Sequence, residues 1–298
     1  MQSIGRNKRI EEWKSVFPYV VIGLFLLCVF VIYPLFRNIY MSFTEFNILT
    51  NETEAYVGFE NYIRAVHDPK VQMALVNTVA FGVVTVPLQM LFGLILASVI
   101  NSKIKGKLFF KVLFYIPVIS SWIVVSLIFR YLFQSSDAGA INYLLLKAHL
   151  ISEPISWLSH RWTANFVIWI LSVWKGIGWV MVIYLAALQG INKSLYEAAE
   201  IDGANSVQKF WKITVPNVRP ITLYIFVNLL IGSFNVFLQV LMITNGAPLG
   251  RTEVLLTYMY KVAFSEFDFG YSSSIAVMMG IVIFTVTYMQ SKFMKRGE

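Results

Sequence analysis

Cysteine occurs once in this sequence, as Cys28, so no disulfide can form within the chain and its redox compartment leaves no mark on it. Charge is scarce as well. Charged residues make up 13% of the chain and hydrophobic ones 57%, where soluble domains carry roughly 25% and 45–50%. That balance excludes an ordinary water-soluble domain. The three histidines, His67, His149 and His160, all lie outside the long apolar runs, so metal or haem chemistry has nothing to hold it there. No G-x-x-x-x-G-K-[ST] loop is present, and with it goes the usual cradle for ATP phosphates. Every Asp and Glu also falls outside the apolar runs. A secondary transporter would normally keep a carboxylate in a span for ion coupling and show a repeat between halves, and no clear repeat is visible. An embedded enzyme would need a paired acid and base at one depth, and none is apparent.

What the chain has in abundance is apolar length. A bilayer crossing takes about 20 mostly apolar residues, and six stretches suffice: Phe17–Met41, Gln72–Ile100, Leu108–Phe133, Thr163–Gln189, Ile221–Thr244 and Tyr271–Phe293. Hydrocarbon offers the backbone no hydrogen-bond partners, so each is expected to be a helix. The fold class is an all-α membrane protein. Residues 1–16 and 295–298 read as short cytoplasmic ends around one membrane domain, 17–294. The first stretch follows a basic start but shows no small-residue cleavage site, so it reads as a retained helix.

Orientation follows from Lys and Arg. With the amino terminus inside, fifteen fall on the cytoplasmic side and eight outside, with Lys175 inside a span. Both termini are therefore expected in the cytoplasm. The net charge of +8 is spread over four inner-side segments, which the topology already explains. A nucleic-acid reader would gather it on one face.

The segment 190–220 does not suit a membrane surface. Ser194 and Glu197 have the spacing of a capping box, and Gly203 suits a left-handed helix end. A short helix over Leu195–Asp202 is predicted. Ser206 would cap a second, stopped by Pro216. Leu195, Ala198, Ala199 and Asp202 share one face of the first helix. Glu197, Glu200 and Asp202 make it acidic on the side where other loops are basic, whereas a helix lying on anionic lipid is normally basic. The acids are either simply solvated in a connector or presented to a protein partner.

The same residues carry a likeness. L-x-G-I-x-x-x-L-Y-E-A-A-x-I-D-G-A, present as Leu188–Ala204, with I-T-V-P beginning at Ile213, resembles the signature loop of binding-protein-dependent ABC importer permeases, carbohydrate branch. Y-P-L-F-R-N-I-Y at Tyr33, V-G-F-E-N-Y at Val57, N-T-V-A-F at Asn77, V-P-L-Q at Val86, F-Y-I-P at Phe114, S-V-W-K-G at Ser172, T-N-G-A-P at Thr244 and F-D-F-G-Y at Phe267 extend it over nearly the whole chain. Within that family the chain is similar to the maltose- and glycerol-phosphate-type first permease. Val215 departs from the usual leucine before Pro216. The resemblance implies a six-helix type I importer fold of the MetI kind in the bacterial cytoplasmic membrane. It also implies a homologous second permease, two cytoplasmic ATPase subunits that bind the ATP and Mg, an extracytoplasmic sugar-binding protein and a sugar cargo. The chain itself would be non-catalytic. Leu195, Glu197, Ala198, Ala199, Asp202, Gly203 and Pro216 would then form the ATPase-coupling loop.

Polar groups inside spans are functional candidates, because an unpaired one is costly in hydrocarbon. Lys175 lies near mid-membrane, with Gly176 and Gly178 thinning its helix and Trp179 on its face. The fifth stretch holds Asn228, Ser233, Asn235 and Gln239. Helix–helix packing uses the same residue types. The resemblance favours a sugar path over packing, and places Lys175, Gly176, Trp179, Ser233 and Val236 on it. Lys175 leaves the charge of the cargo open.

Overall fold

The computed structural model describes residues 17, 19–46, 55–102, 104–137 and 139–295. The expected cytoplasmic end 1–16, and with it Arg6, Lys8, Arg9 and Lys14 of the orientation count, lies outside them, as do Lys103 and the final residues 296–298. The chain forms two compact bodies, residues 1–65 with 261–278 and residues 66–260 with 279–298.

In the first body, α1 (Tyr19–Met41) is long and apolar enough to span, and none of its apolar window is buried. A wide π-type turn interrupts it at Cys28–Ile32. After it, β1 (Thr44–Glu45) and β2 (Ala55–Tyr56) pair antiparallel, and α2 (Glu60–His67) follows. The side chain of Asn61 donates to the carbonyls of Ser42 and Thr44. Arg64 meets Asp268 at 2.7 Å and lies over the ring of Tyr271.

The second body is built around α3 (Pro69–Asn101) and α7 (Arg161–Gln189), both long enough to cross a membrane. Asp68 caps α3 by accepting from the amide of Lys70, with Pro69 in the first turn, where its missing N–H costs nothing. The two helices meet where side chains vanish: a β-carbon on Gly93 would overlap Val180. Close approach through small residues is how membrane helices gain contact when the surrounding lipid is equally apolar. Two apolar clusters result. One gathers Phe81, Val167, Ile168, Leu171, Val236 and Val240; the other gathers Ala97, Val180, Met181, Tyr184, Leu188 and Ile225.

The third apolar stretch is not one helix. It forms α4 (Lys107–Ile119) and α5 (Trp122–Leu132), bent by 94° from each other. Ser120 and Ser121 are both extended, with ψ of 147° and 134°, and two such residues in succession redirect the chain. Beyond it come α6 (Ala140–Lys147), α7 and the short pair α8 (Lys193–Ile201) and α9 (Ser206–Asn217). The fifth stretch is also divided: α10 (Arg219–Phe234) ends early, and α11 (Leu238–Ile243) follows after a break at Asn235–Phe237. The chain continues through α12 (Leu255–Phe264) and α13 (Phe269–Lys295), the last including a span at Phe269–Met289. Among the described residues, four helices qualify as spans alone, and up to six if each bent pair counts once.

The caps of α8 and α9 also differ from the sequence expectation. Asn192, not Ser194, caps α8, its side chain accepting from the amide of Ser194. The reciprocal capping box sits on α9, between Asn205 and Gln208. Asn is as good a cap as Ser, and the S-x-x-E spacing at Ser194 lies two residues too far in. Pro216 does not stop α9. The helix widens at Phe210–Thr214, where the amide of Val215 reaches the carbonyl of Phe210, and it then runs through Pro216 to Asn217. The wide turn absorbs the proline ring that a tight α-turn would reject.

Candidate functional site

A cavity of about 260 Å³ opens in the second body. It occupies the gap between the two apolar clusters along α7, since Leu171 belongs to one and Val180 to the other. Between them α7 supplies Ser172, Lys175, Gly176 and Trp179 to the wall. From α3 come Phe81, Thr85 and Gln89, and from α10 Asn228, Leu229, Gly232 and Ser233. Val118, Trp122 and Gln239 close it. The wall thus mixes hydroxyls, amides and two indoles. Lys175 is the ionisable side chain in it.

Glycine sets the width. A β-carbon on Gly176 would strike the amide of Gln89, one on Gly178 the carbonyl oxygen of Phe114, and one on Gly82 would stand 2.9 Å from the hydroxyl of Ser233. Each absent side chain lets another helix, or its polar tip, approach the cavity. Ser233 donates to the carbonyl of Leu230 at 2.7 Å and keeps its acceptor capacity. The carboxamide oxygen of Gln239 accepts from the amide of Phe237 across the α10–α11 break.

Lys175 is 3% exposed. Its ammonium donates to the carbonyls of Pro117 at 2.6 Å, Val118 at 3.0 Å and Ser120 at 2.6 Å. Its charge lies 4.7 Å from the centroid of the Trp122 ring. A charged side chain at the middle of a spanning helix, as Lys175 is in α7, costs roughly 2.5–3.5 kcal/mol on insertion scales. Here the cost is offset by three carbonyls at the negative end of α4 and by the indole face.

Of the residues expected on the solute path, Lys175, Gly176, Trp179, Ser233 and Gln239 line this cavity. Two stand elsewhere. Val236 is 1% exposed within an apolar cluster. Asn235 is exposed, its side chain donating back to the carbonyl of Ile231. The polar wall on α3, Thr85 and Gln89, went unnoticed in the sequence; the one signal was a glutamine two residues after Pro87 in an otherwise apolar stretch.

On the α8–α9 segment, Leu195, Ile201, Val207 and Trp211 are exposed, Ile201 at 87% and Trp211 at 63%. Glu197, Ala198, Asp202 and Pro216 are exposed too, and Ala199 is half-buried. The inner side of α8 is held by Tyr196, whose hydroxyl lies 2.9 Å from that of Thr214. Glu200 pairs with Lys209 at 2.7 Å. Gly203 ends α8 with φ of 74°, and the amides of Gly203 and Ala204 return to the carbonyls of Glu200 and Ala199.

The family model described as "Binding-protein-dependent transport system inner membrane component" matches residues 89–296, a span that takes in α8, α9 and all of the cavity wall except Phe81 and Thr85. The chain belongs to this family. It is 33% identical over 281 residues to the arabinooligosaccharides transport system permease protein AraP of Halalkalibacterium halodurans, covering 93% of this chain and 87% of that one. To the lactose transport system permease protein LacF of Rhizobium radiobacter it is 32% identical over 293 residues, covering 97% and 95%. Its fold matches a chain in the crystal structure of a bacterial ABC transporter involved in import of the acidic polysaccharide alginate, with a TM-score of 0.86 over 97% of this chain and 98% of that chain at 20% identity. The protein is an inner-membrane transport component with the fold of an ABC importer permease.

Proposed function

We propose that this chain is one of two different permease subunits of an ATP-driven sugar importer. Two cytoplasmic ATPase subunits supply the energy, and an extracytoplasmic binding protein delivers the cargo. Both termini face the cytoplasm, and the chain performs no catalysis of its own. The observation that carries the reading is the cavity: indoles of Trp122 and Trp179 beside the hydroxyls of Ser172, Ser233 and Thr85 and the amides of Gln89, Asn228 and Gln239. A sugar ring offers an apolar face and a rim of hydroxyls. Each buried hydroxyl left without a partner costs about 1–3 kcal/mol, so such a mixed wall suits it. The relatives named for arabinooligosaccharides and lactose support the same class.

Delivery of force is assigned to α8. Its exposed Leu195 and Ile201 next to the exposed Glu197 and Asp202 suit a protein groove better than anionic lipid. Gly203 fixes the angle at which the chain leaves.

A self-sufficient secondary transporter is the competing class. Reconstitution of the two permeases with and without ATPase and binding protein separates them. The importer reading expects sugar uptake only with all components and ATP. Uptake by the permeases alone, driven by an ion gradient, overturns it.

A further inference from the structure

The break between α4 and α5 leaves carbonyls at the end of α4 without helical partners. Non-helical backbone at membrane depth persists only where protein or a wet cavity satisfies it. Here the accounting is specific. The hydroxyl of Ser120 donates to the carbonyl of Ile116 at 3.0 Å, and the three protons of the Lys175 ammonium serve Pro117, Val118 and Ser120. An ammonium has three donors. None is left over for cargo.

The same seam is tight one turn further along α7, where Gly178 faces the carbonyl of Phe114 with no room for a β-carbon. Contacts therefore run antiparallel, from Lys175 at the end of α4 to Gly178 earlier in it. The residues on either side of the break, Val118 and Trp122, both line the cavity. Whatever fixes the break fixes that part of the wall.

We propose that Lys175 is a positioning residue that pins the α4–α5 break and so sets Trp122 in the cavity wall, and that this subunit's half of the site, having no uncommitted charge, takes an uncharged sugar. This rests on the sugar reading above and narrows it. A lysine in a transport cavity is more readily taken as a counter-charge for an anionic solute. The geometry points the other way. Its charge is turned into the dipole of α4 and against an indole, and the remaining wall offers only neutral donors and acceptors.

The test uses the complete permease–ATPase complex in lipid nanodiscs, without the binding protein, so that binding reports the membrane site alone. Maltose, lactose and arabinobiose serve as neutral probes, digalacturonate and diglucuronate as acidic ones, each titrated by equilibrium dialysis. The expected result is that the neutral probes bind at least as tightly as the acidic ones. Lys175→Met should weaken every bound probe by a common factor of about tenfold, the scale of one lost positioning contact, per mole of assembled complex. Acidic probes binding more tightly to the unsubstituted complex overturn the proposal, and so does a Lys175→Met variant that binds unchanged. So does one that loses acidic probes selectively, because that marks a charge reader. If Lys175→Met assembles poorly, Lys175→Arg is titrated in its place. It keeps the charge but not the reach of the ammonium, so the pin expects a common weakening, and retained acidic binding overturns it. If no probe of either kind binds the unsubstituted complex while a non-sugar solute does, the sugar reading itself fails and takes this proposal with it.

Discussion

Gly176 faces Gln89 so closely that a β-carbon on the glycine would overlap the glutamine amide. Two residues along, Gly178 stands against the carbonyl of Phe114 in the same way, and the difference between the two neighbours matters. A glutamine tip can swing aside; a helix backbone cannot. Gly176→Ala should assemble normally, push Gln89 into the cavity and raise the sugar concentration at half-maximal uptake. Gly178→Ala should force α4 and α7 apart and cost on the order of 1–3 kcal/mol. Thermal unfolding of the assembled complex beside uptake kinetics checks the pair: a fall in stability for Gly178→Ala, a kinetic defect for Gly176→Ala.

In the N-terminal third of α3, Asn77 joins three segments. Its amide donates to the carbonyls of Arg251 and Glu253, and its oxygen accepts twice from Arg161. Asn77→Ala removes the hydrogen bonds that tie α3 to the 251–253 segment and to α7, at a cost of about 1–3 kcal/mol. The expected outcome is a lower melting temperature with affinity at the cavity unchanged, read by thermal scanning and dialysis on one preparation.

Gly203 holds φ of 74° in open space, with nothing within 4 Å of the position a β-carbon would take. Strain alone, not collision, therefore decides what is tolerated. Asn enters the left-handed region readily, whereas a β-branched residue does not. Gly203→Asn should keep most sugar-stimulated ATP hydrolysis, and Gly203→Val should lose it while the complex still assembles. Equal activity in the two variants would falsify the role of this turn in aiming α8.

Trp179 and Ser233 face the cavity from α7 and α10. Trp179→Ala should reduce uptake severely while ATP hydrolysis stimulated by the binding protein survives. Ser233→Ala should reduce uptake only mildly, because its proton already serves Leu230. Losses of complex, hydrolysis and uptake in equal proportion would instead mark Trp179 as packing.

Local chemistry was legible and tertiary chemistry was not. The left-handed end at Gly203 follows from the residue itself, and two short helices follow from the caps around it. Even so, the capping residues are Asn192 and Asn205 rather than Ser194 and Ser206, because neighbouring polar residues compete for the same amides. Lys175 was visible as a buried cation, but its partners are carbonyls some 55–58 residues earlier in the chain, and backbone acceptors carry no sequence label. The break at Ser120 was hidden for a related reason: Pro117 permits a kink, but the stretch is apolar on both sides. Gln89 drew no notice in the sequence because Gly176, the residue it packs against, lies on another helix.

The widened turn at Phe210–Thr214 fixes an angular phase. Each residue of an α-helix turns the chain by about 100°, so the extra residue held in that turn sets the phase of Val215–Asn217 with respect to Ser206–Lys209 within α9. Beyond Asn217 the chain bends by 68° into α10, so that phase ends with α9, and the facing of Asn228 and Ser233 is set by the packing of α10 itself. A single-residue deletion in the turn should therefore disturb the contact of Tyr196 with Thr214 and leave the cavity wall in place.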